Sequence, residues 1–338
     1  MKAIYLTGPN AFSYQEVEPP AAGRDDVLIR VRMAGICGSD VHLLRGRNPF
    51  AAYPLVPGHE YMGEVVSAPK KSGFKPGDKV TGFPETACGK CAACRAGKLI
   101  HCPEFRFVGV RVPGGCFGEI VSVPAWRVIR LPKAMDEEQG AMVEPTAVAY
   151  HANKRAGVRK GDRVVVIGGG TIGLLTAQVA RTMGAGKVVI SEPIPERRRI
   201  AEKLGFRLLC NPVEQELPAF VSERIGAADI VFDVVTSEKT LENSQSMLRP
   251  DGTLVLVGLP HHAGLGVPYQ PIFAKELKVV GSRTYFMSDF PAAIRLISSG
   301  KVKVKPIISG VLPLEQFLEG LERLEKEPER YVKILVQP

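Results

Sequence analysis

The sequence predicts a two-domain α/β protein, a mostly β first domain followed by a doubly wound parallel sheet with helices on both faces. Three observations carry that prediction. The first part of the chain mixes short β-type runs, such as 27–33 (VLIRVRM) and 63–67 (GEVVS), with frequent Gly and Pro. From about residue 157 to 283, strand-like runs at 163–167, 187–190, 230–234 and 253–257 alternate with helical stretches, the pattern of βαβ units. Between the first of these runs and the next helix stands Gly168-Gly169-Gly170-Thr171-Ile172-Gly173.

A chain of 338 residues suits two domains at roughly 100–200 residues each. The expected division is 1–147, 148–285, and a tail, 286–338, that returns to the first domain. In that tail the pattern predicts a helix over 290–299, a strand near Ile307, a helix over 314–326 and a closing strand over 331–336. Hydrophobic residues at 45% and charged residues at 23% match an ordinary globular chain, so nothing reads as disordered.

The opening MKAIYLTGPN lacks the apolar core and cleavage site of a secretory signal, and no apolar run reaches the roughly 18 residues of a membrane span. A cytoplasmic protein with no membrane partner is expected. The net charge of +9 raises nucleic acid as a partner, but Lys and Arg are scattered without interleaved aromatics. The densest run, 196–203 (ERRRIAEK), includes acids and reads as a solvated helix face, which argues against nucleic-acid binding and leaves attraction of anionic cofactor and substrate. With reduced cytosolic thiols, the seven cysteines do not read as a disulfide framework.

Four of them, Cys88, Cys91, Cys94 and Cys102, form C-x2-C-x2-C-x7-C in CGKCAACRAGKLIHC. Tight x2 spacings let thiolates converge on one ion, and four sulfurs give the closed tetrahedral shell of structural zinc. An iron–sulfur cluster uses similar ligands, but its ferredoxin spacings differ. Cys116 and Cys210 are expected as structural thiols, and His101, His261 and His262 as surface or structural residues.

A second set is dispersed: Cys37 in CGSDVH, His59 and Glu60 in GHE, and Glu144 in VEP. A mixed thiolate, imidazole and carboxylate set leaves a coordination position open, as a catalytic zinc requires. Alone, each piece reads equally as a small buried thiol or a satisfied histidine.

The ordered motifs GICGSDVH, PGHE, the four-cysteine loop, VEPTAVAYHA and GGGTIG resemble the zinc-containing medium-chain dehydrogenase/reductase superfamily along essentially the whole chain. That resemblance implies a GroES-like catalytic domain, a Rossmann coenzyme domain and two zinc ions per subunit. It places Cys37, His59 and Glu144 at the reactive zinc, with Glu60 ligating or beside it. It also implies Asp40 as the carboxylate that orients His59, and Ser39 and His42 as a proton relay. His42 reads equally well as a surface histidine. The glutamate at 144, where alcohol dehydrogenases proper carry cysteine, resembles the sorbitol dehydrogenase branch. The segments NPFAAYPLVPGHE and Gly-Ser-Arg at 281–283 are similar to L-galactonate, L-gulonate and galactitol-phosphate dehydrogenases. A homo-oligomer, tetramer or dimer, is implied as well.

In the glycine turn, Gly168 permits the tight bend, Gly170 lets backbone approach a pyrophosphate, and Gly173 lets helix and strand pack, with Thr171 and Ile172 opening the helix toward the anion. Glu192 ends the next strand, where a carboxylate accepts both ribose hydroxyls and repels a 2′-phosphate, favouring NAD over NADP. Arg197 is the opposing signal, since it suits a phosphate, although NAD-dependent relatives place Lys or Arg there against the adenosine ribose. Arg111 and Arg283 are candidates to pair with a substrate carboxylate or phosphate.

The expected function is hydride transfer from a secondary alcohol of a polyol or sugar acid to NAD. A threonine, butanediol or simple alcohol dehydrogenase is the second reading. A non-enzymatic NAD binder is the third, and it predicts broken ligands, whereas Cys37, His59, Glu60 and Glu144 all stand beside an intact glycine turn.

Overall fold

The structure is a computed structural model that describes residues 1–48, 50–259 and 264–338. His261 and His262 lie outside the described residues. The chain divides into two units, one of Met1–Glu144, Phe286–Ser298 and Ile308–Pro338, the other of Pro145–Tyr285 and Ser299–Ile307. No described helix is long and apolar enough to cross a membrane.

In the first unit a seven-stranded sheet is organised by Asp26–Gly35, which pairs antiparallel with Glu60–Ser67, with Ile120–Pro124 and with the closing strand Lys333–Gln337. The alternation in 27–33 is what this strand needs, because Val27, Ile29, Val31 and Met33 all turn into the core. Two registers matter for chemistry: Gly35 stands opposite Glu60 on one side and opposite Leu335 on the other. Residues nearly 300 positions apart are thereby brought to one end of the sheet.

The tail departs from its expected boundaries for local reasons. A 3-10 turn at Lys305–Ile307 carries Pro306, so the expected strand starts one residue later, at Ile308–Pro313. Pro313 ends that strand, and a second 3-10 turn, Leu314–Gln316, leads into the helix Phe317–Lys326.

The second unit is a six-stranded, wholly parallel sheet in the order Leu208–Cys210, Lys187–Ser191, Arg163–Ile167, Ala228–Asp233, Leu248–Leu256, Lys278–Gly281. The central strands read as continuous Val and Ile because helices cover both faces, and Val164, Val165, Val166, Val189 and Val231 are fully buried. The strand order reverses beside Arg163–Ile167, so the turn that follows it sits at the topological switch point, where such sheets bind nucleotides.

Candidate metal centres and coenzyme turn

The short helix Gly38–Leu44 begins at Cys37, whose N–H donates to Asp40 Oδ2 at 2.9 Å. That bond fixes both residues at once. With Gly35 paired to Glu60, the residues just beyond this rung, Cys37 and His59, converge, and one ligand atom each from Cys37, His59 and Glu60 lies within 4.8 Å of the others. His59 and Glu60 are buried, and Cys37 is half-buried.

His59 Nδ1 faces Asp40 Oδ1 at 3.5 Å, and Ser39 Oγ lies 3.5 Å from Nε2. Neither His59 Nδ1 nor Asp40 Oδ1 completes a hydrogen bond, although both are buried. Burial disfavours the imidazolium, yet the Asp40 carboxylate and the Cys37 sulfur outweigh it and hold the His59 pKa well above its ordinary value. An enclosure so favourable to a proton is equally favourable to a metal dication. The thiolate–imidazole–carboxylate donor set therefore fits a zinc ion, with Nε2, beside Ser39, the imidazole donor and Asp40 behind Nδ1.

The four-cysteine loop folds into a compact lobe. Cys91 caps the helical turn Ala92–Arg95, and its sulfur accepts the Cys94 N–H at 3.5 Å. The Cys91 and Cys94 sulfurs are 3.5 Å apart, those of Cys88 and Cys94 3.8 Å, and all four lie within 4.8 Å of one another. The backbone N–H groups of Cys88 and Glu104 both donate to Cys102 Sγ, at 3.4 and 3.3 Å. Backbone N–H groups of Lys90 and Cys91 pull Cys88 down to about 6, whereas burial and the Cys91 and Cys102 sulfurs push Cys94 up to about 12. One negative charge is easily held here and four are not, unless a cation joins them, so the thiol set fits a closed zinc shell.

In the second unit, Gly168 takes a φ of +104° and a side chain at Gly173 would collide with the Gly168 carbonyl, so the turn needs both glycines. Gly170 begins the helix Thr171–Thr182 without a capping side chain, leaving its first N–H groups directed at the turn. Glu192 lies beside it, buried, its oxygens accepting the N–H of Gly169 at 2.6 Å and of Ile194 at 2.9 Å. Arg197 Nη1 is 3.9 Å from Glu192 Oε2, and Arg197 Nε is buried without a hydrogen bond. Arg198 instead donates to the carbonyls of Glu192 and Pro193, both at 2.7 Å.

The chain matches the "Alcohol dehydrogenase GroES-like domain" profile over residues 23–133 and the "Zinc-binding dehydrogenase" profile over residues 171–299. It is 34% identical to the 2-dehydro-3-deoxy-L-galactonate 5-dehydrogenase of Pseudoalteromonas atlantica, across 100% of this chain and 98% of that protein. It belongs to the zinc-containing medium-chain dehydrogenases. Among solved structures, this dehydrogenase is similar to 2R,3R-butanediol dehydrogenase from Bacillus subtilis, with a TM-score of 0.92 and 31% identity over 100% of this chain and 99% of that one. It is also similar to a zinc-binding dehydrogenase of Sinorhizobium meliloti 1021 bound to NADP, with a TM-score of 0.91, 31% identity and the same coverages.

The remaining expected site residues fall variously in this dehydrogenase. Glu144 is buried in the first turn of the helix Val143–Ala156 but stands outside the three-residue cluster. Ser39 is brought to His59, and His42 lies half-buried in the last turn of the same short helix. Arg111, in the first unit, and Arg283, in the second, are exposed. Cys116 and Cys210 are buried, and His101 is exposed. Sequence reasoning passed over Lys333, buried at the start of the closing strand and ion-paired with Glu60. Its signal was a lone cation opening an apolar run, KILVQ.

Proposed function

We propose that this dehydrogenase oxidises a secondary alcohol of a polyol or sugar acid and passes hydride to NAD. What carries the reading is the cluster of Cys37, His59 and Glu60, within 4.8 Å, in a chain that also builds an uncapped glycine turn at a sheet switch point. Cys37 and His59 would hold the reactive zinc with Glu144 or Glu60, and Cys88, Cys91, Cys94 and Cys102 a structural one, two ions per subunit. When bound, the reactive ion supplies Lewis acidity that lowers the pKa of the substrate hydroxyl. Ser39, beside His59 Nε2, takes the leaving proton, and His42 at the far end of the same helix passes it outward. Asp40 keeps the imidazole oriented.

The substrate class is supported by the carboxylates in the donor set and by the sugar-acid relative from Pseudoalteromonas. The similarity to a butanediol dehydrogenase supports the second reading, oxidation of a small diol. NADH formation at 340 nm by the zinc-loaded protein across aldonates, hexitols, hexitol phosphates, threonine and diols separates the two. Turnover confined to threonine or diols would refute the polyol and sugar-acid assignment. Arg111 and Arg283 remain the candidates for a substrate carboxylate or phosphate.

NAD is favoured by Glu192, whose carboxylate is held rigidly by two backbone N–H groups and opposes a 2′-phosphate. Replacing Glu192 by alanine should shift the kcat/KM preference toward NADP by about tenfold or more, since juxtaposed like charges cost several kcal/mol. An unchanged NAD to NADP ratio would remove Glu192 from this role, and the NADP-bound relative makes the comparison direct.

A homo-oligomer is supported by an apolar surface on the second unit, where Tyr269 and Phe273 stack at 6.0 Å, both more than 70% exposed, near the edge strand Lys278–Gly281. Seven free thiols suit the reducing cytoplasm.

A further inference from the structure

Asp233 is a buried carboxylate that the chemistry above does not use, and Thr236, three residues on, has a left-handed backbone with φ +57°. A β-branched residue rarely adopts that conformation, so its surroundings must hold it there. Asp233 Oδ1 accepts the N–H groups of Val235 at 3.0 Å and of Thr236 at 2.8 Å. From the other side, Thr236 Oγ1 donates to the Gly258 carbonyl at 3.1 Å. Burial pushes the Asp233 carboxyl above its ordinary pKa, although the Thr236 N–H opposes the shift. The turn is thus held by a group that is costly to bury.

Its place on the sheet is defined by register. Ile167, Asp233 and Leu256 form one rung at the carboxyl ends of three neighbouring parallel strands. The Val234 N–H donates to the Ile167 carbonyl at 3.1 Å, and the N–H groups of Val257 and Gly258 donate to the Asp233 carbonyl at 2.9 and 3.2 Å. Gly168, next after Ile167, opens the coenzyme turn, and a β-carbon there would stand 3.1 Å from Val235 Cγ2. Val235 nonetheless keeps 39% of its surface exposed. An apolar side chain is therefore pinned beside the first glycine and left facing outward. In a dinucleotide fold the half of the sheet that carries Glu192 takes the adenosine, and the half that begins with Ala228–Asp233 takes the other nucleotide.

We propose that Asp233 is a positioning residue whose carboxylate holds Thr236 in the left-handed conformation and so fixes Val235 as an apolar wall for the nicotinamide half of the coenzyme. The proposal rests on the coenzyme reading above and deepens it. Without the carboxylate, Thr236 relaxes to an ordinary backbone, Val235 leaves Gly168, and the coenzyme must restore both on binding. Glycine at 236 removes that need, because it takes a positive φ about as readily as a negative one. Only a backbone-holding role predicts that rescue.

The test measures the Kd of NADH by fluorescence, and of AMP, a probe of the adenosine half, by calorimetry, in the wild-type protein, D233A, D233N, D233A/T236G and V235A. D233A should bind NADH about tenfold more weakly, the scale set by one strained residue, with AMP binding unchanged. D233N keeps an oxygen for both N–H groups and should match the wild type, and D233A/T236G should recover most of the lost affinity. V235A should weaken NADH about fourfold, the effect of one buried methylene, and leave AMP alone. Unaltered NADH affinity in D233A, an equal loss for AMP, or no recovery with T236G would overturn the proposal. Should D233A not fold, V235A decides, since it changes only a partly exposed side chain: wild-type NADH affinity there removes the wall and the proposal. Wild-type protein that binds no NADH would instead refute the coenzyme reading, and this proposal with it.

Discussion

Replacing Cys37 by serine is expected to slow turnover at least about a thousandfold while dinucleotide binding survives. A metal acting as Lewis acid is worth several kcal/mol of transition-state stabilisation, and about 1.4 kcal/mol is tenfold in rate, so losing the ion reaches that factor. The helix beneath should persist, because serine is a preferred helix-capping residue and the bond from the residue 37 N–H to Asp40 needs no side chain. The coenzyme turn stands on contacts within its own unit, from Gly169 and Ile194 to Glu192, so NADH titrated by fluorescence should bind with near wild-type affinity. Glu144→Ala should behave similarly, if Glu144 completes the donor set. Full activity of the Cys37→Ser protein after verified loss of the ion from that site, with the four-cysteine lobe still loaded, would sink the assignment of the reactive centre.

The parts of this molecule that were legible in the sequence are those where local pattern and global environment agree. RVVVI and KVVIS are unbroken apolar runs because their strands are covered on both faces, and GGGTIG is confined by backbone geometry that only glycine meets. The four-cysteine lobe was readable because its ligands are local, within residues 88–102. The dispersed centre was not readable from spacing, since Cys37 and His59 meet only through the register that sets Gly35 against Glu60, and the family resemblance supplied what spacing could not.

Weakly patterned edges were the harder case. Ala11–Glu16 is almost entirely exposed, and Lys278–Gly281 closes one side of its sheet, so neither carries the apolar signature of a central strand. Lys333 was hidden differently. A lysine at the head of a strand ordinarily points to solvent, and only the antiparallel pairing of the closing strand with Asp26–Gly35 turns this one toward Glu60. The resemblance set Glu144 with Cys37 and His59 and left Glu60 ligating or beside them; in the fold Glu60 shares a 4.8 Å cluster with Cys37 and His59, and Glu144 is buried in the first turn of a helix.

Cys94→Ser should separate the second metal from the chemistry. Cys94 is the hub of the lobe: its sulfur lies 3.5 Å from that of Cys91 and 3.8 Å from that of Cys88, and its N–H anchors the Cys91 sulfur. A serine leaves three thiolates, too few for the closed tetrahedral shell, and the lobe has little else to hold it, since Cys88, Cys91 and Cys94 are all only half-buried. Metal binding and folding are one equilibrium in such a lobe, so residues 88–102 should open to proteolysis. Zinc content should fall by one ion per subunit. Because the reactive cluster is built on other strands, freshly purified protein should turn over at near the wild-type rate per intact subunit and then inactivate faster on warming. Unchanged zinc content, or lost turnover in protein whose lobe still resists protease, would show that the four sulfurs do not form an independent structural centre.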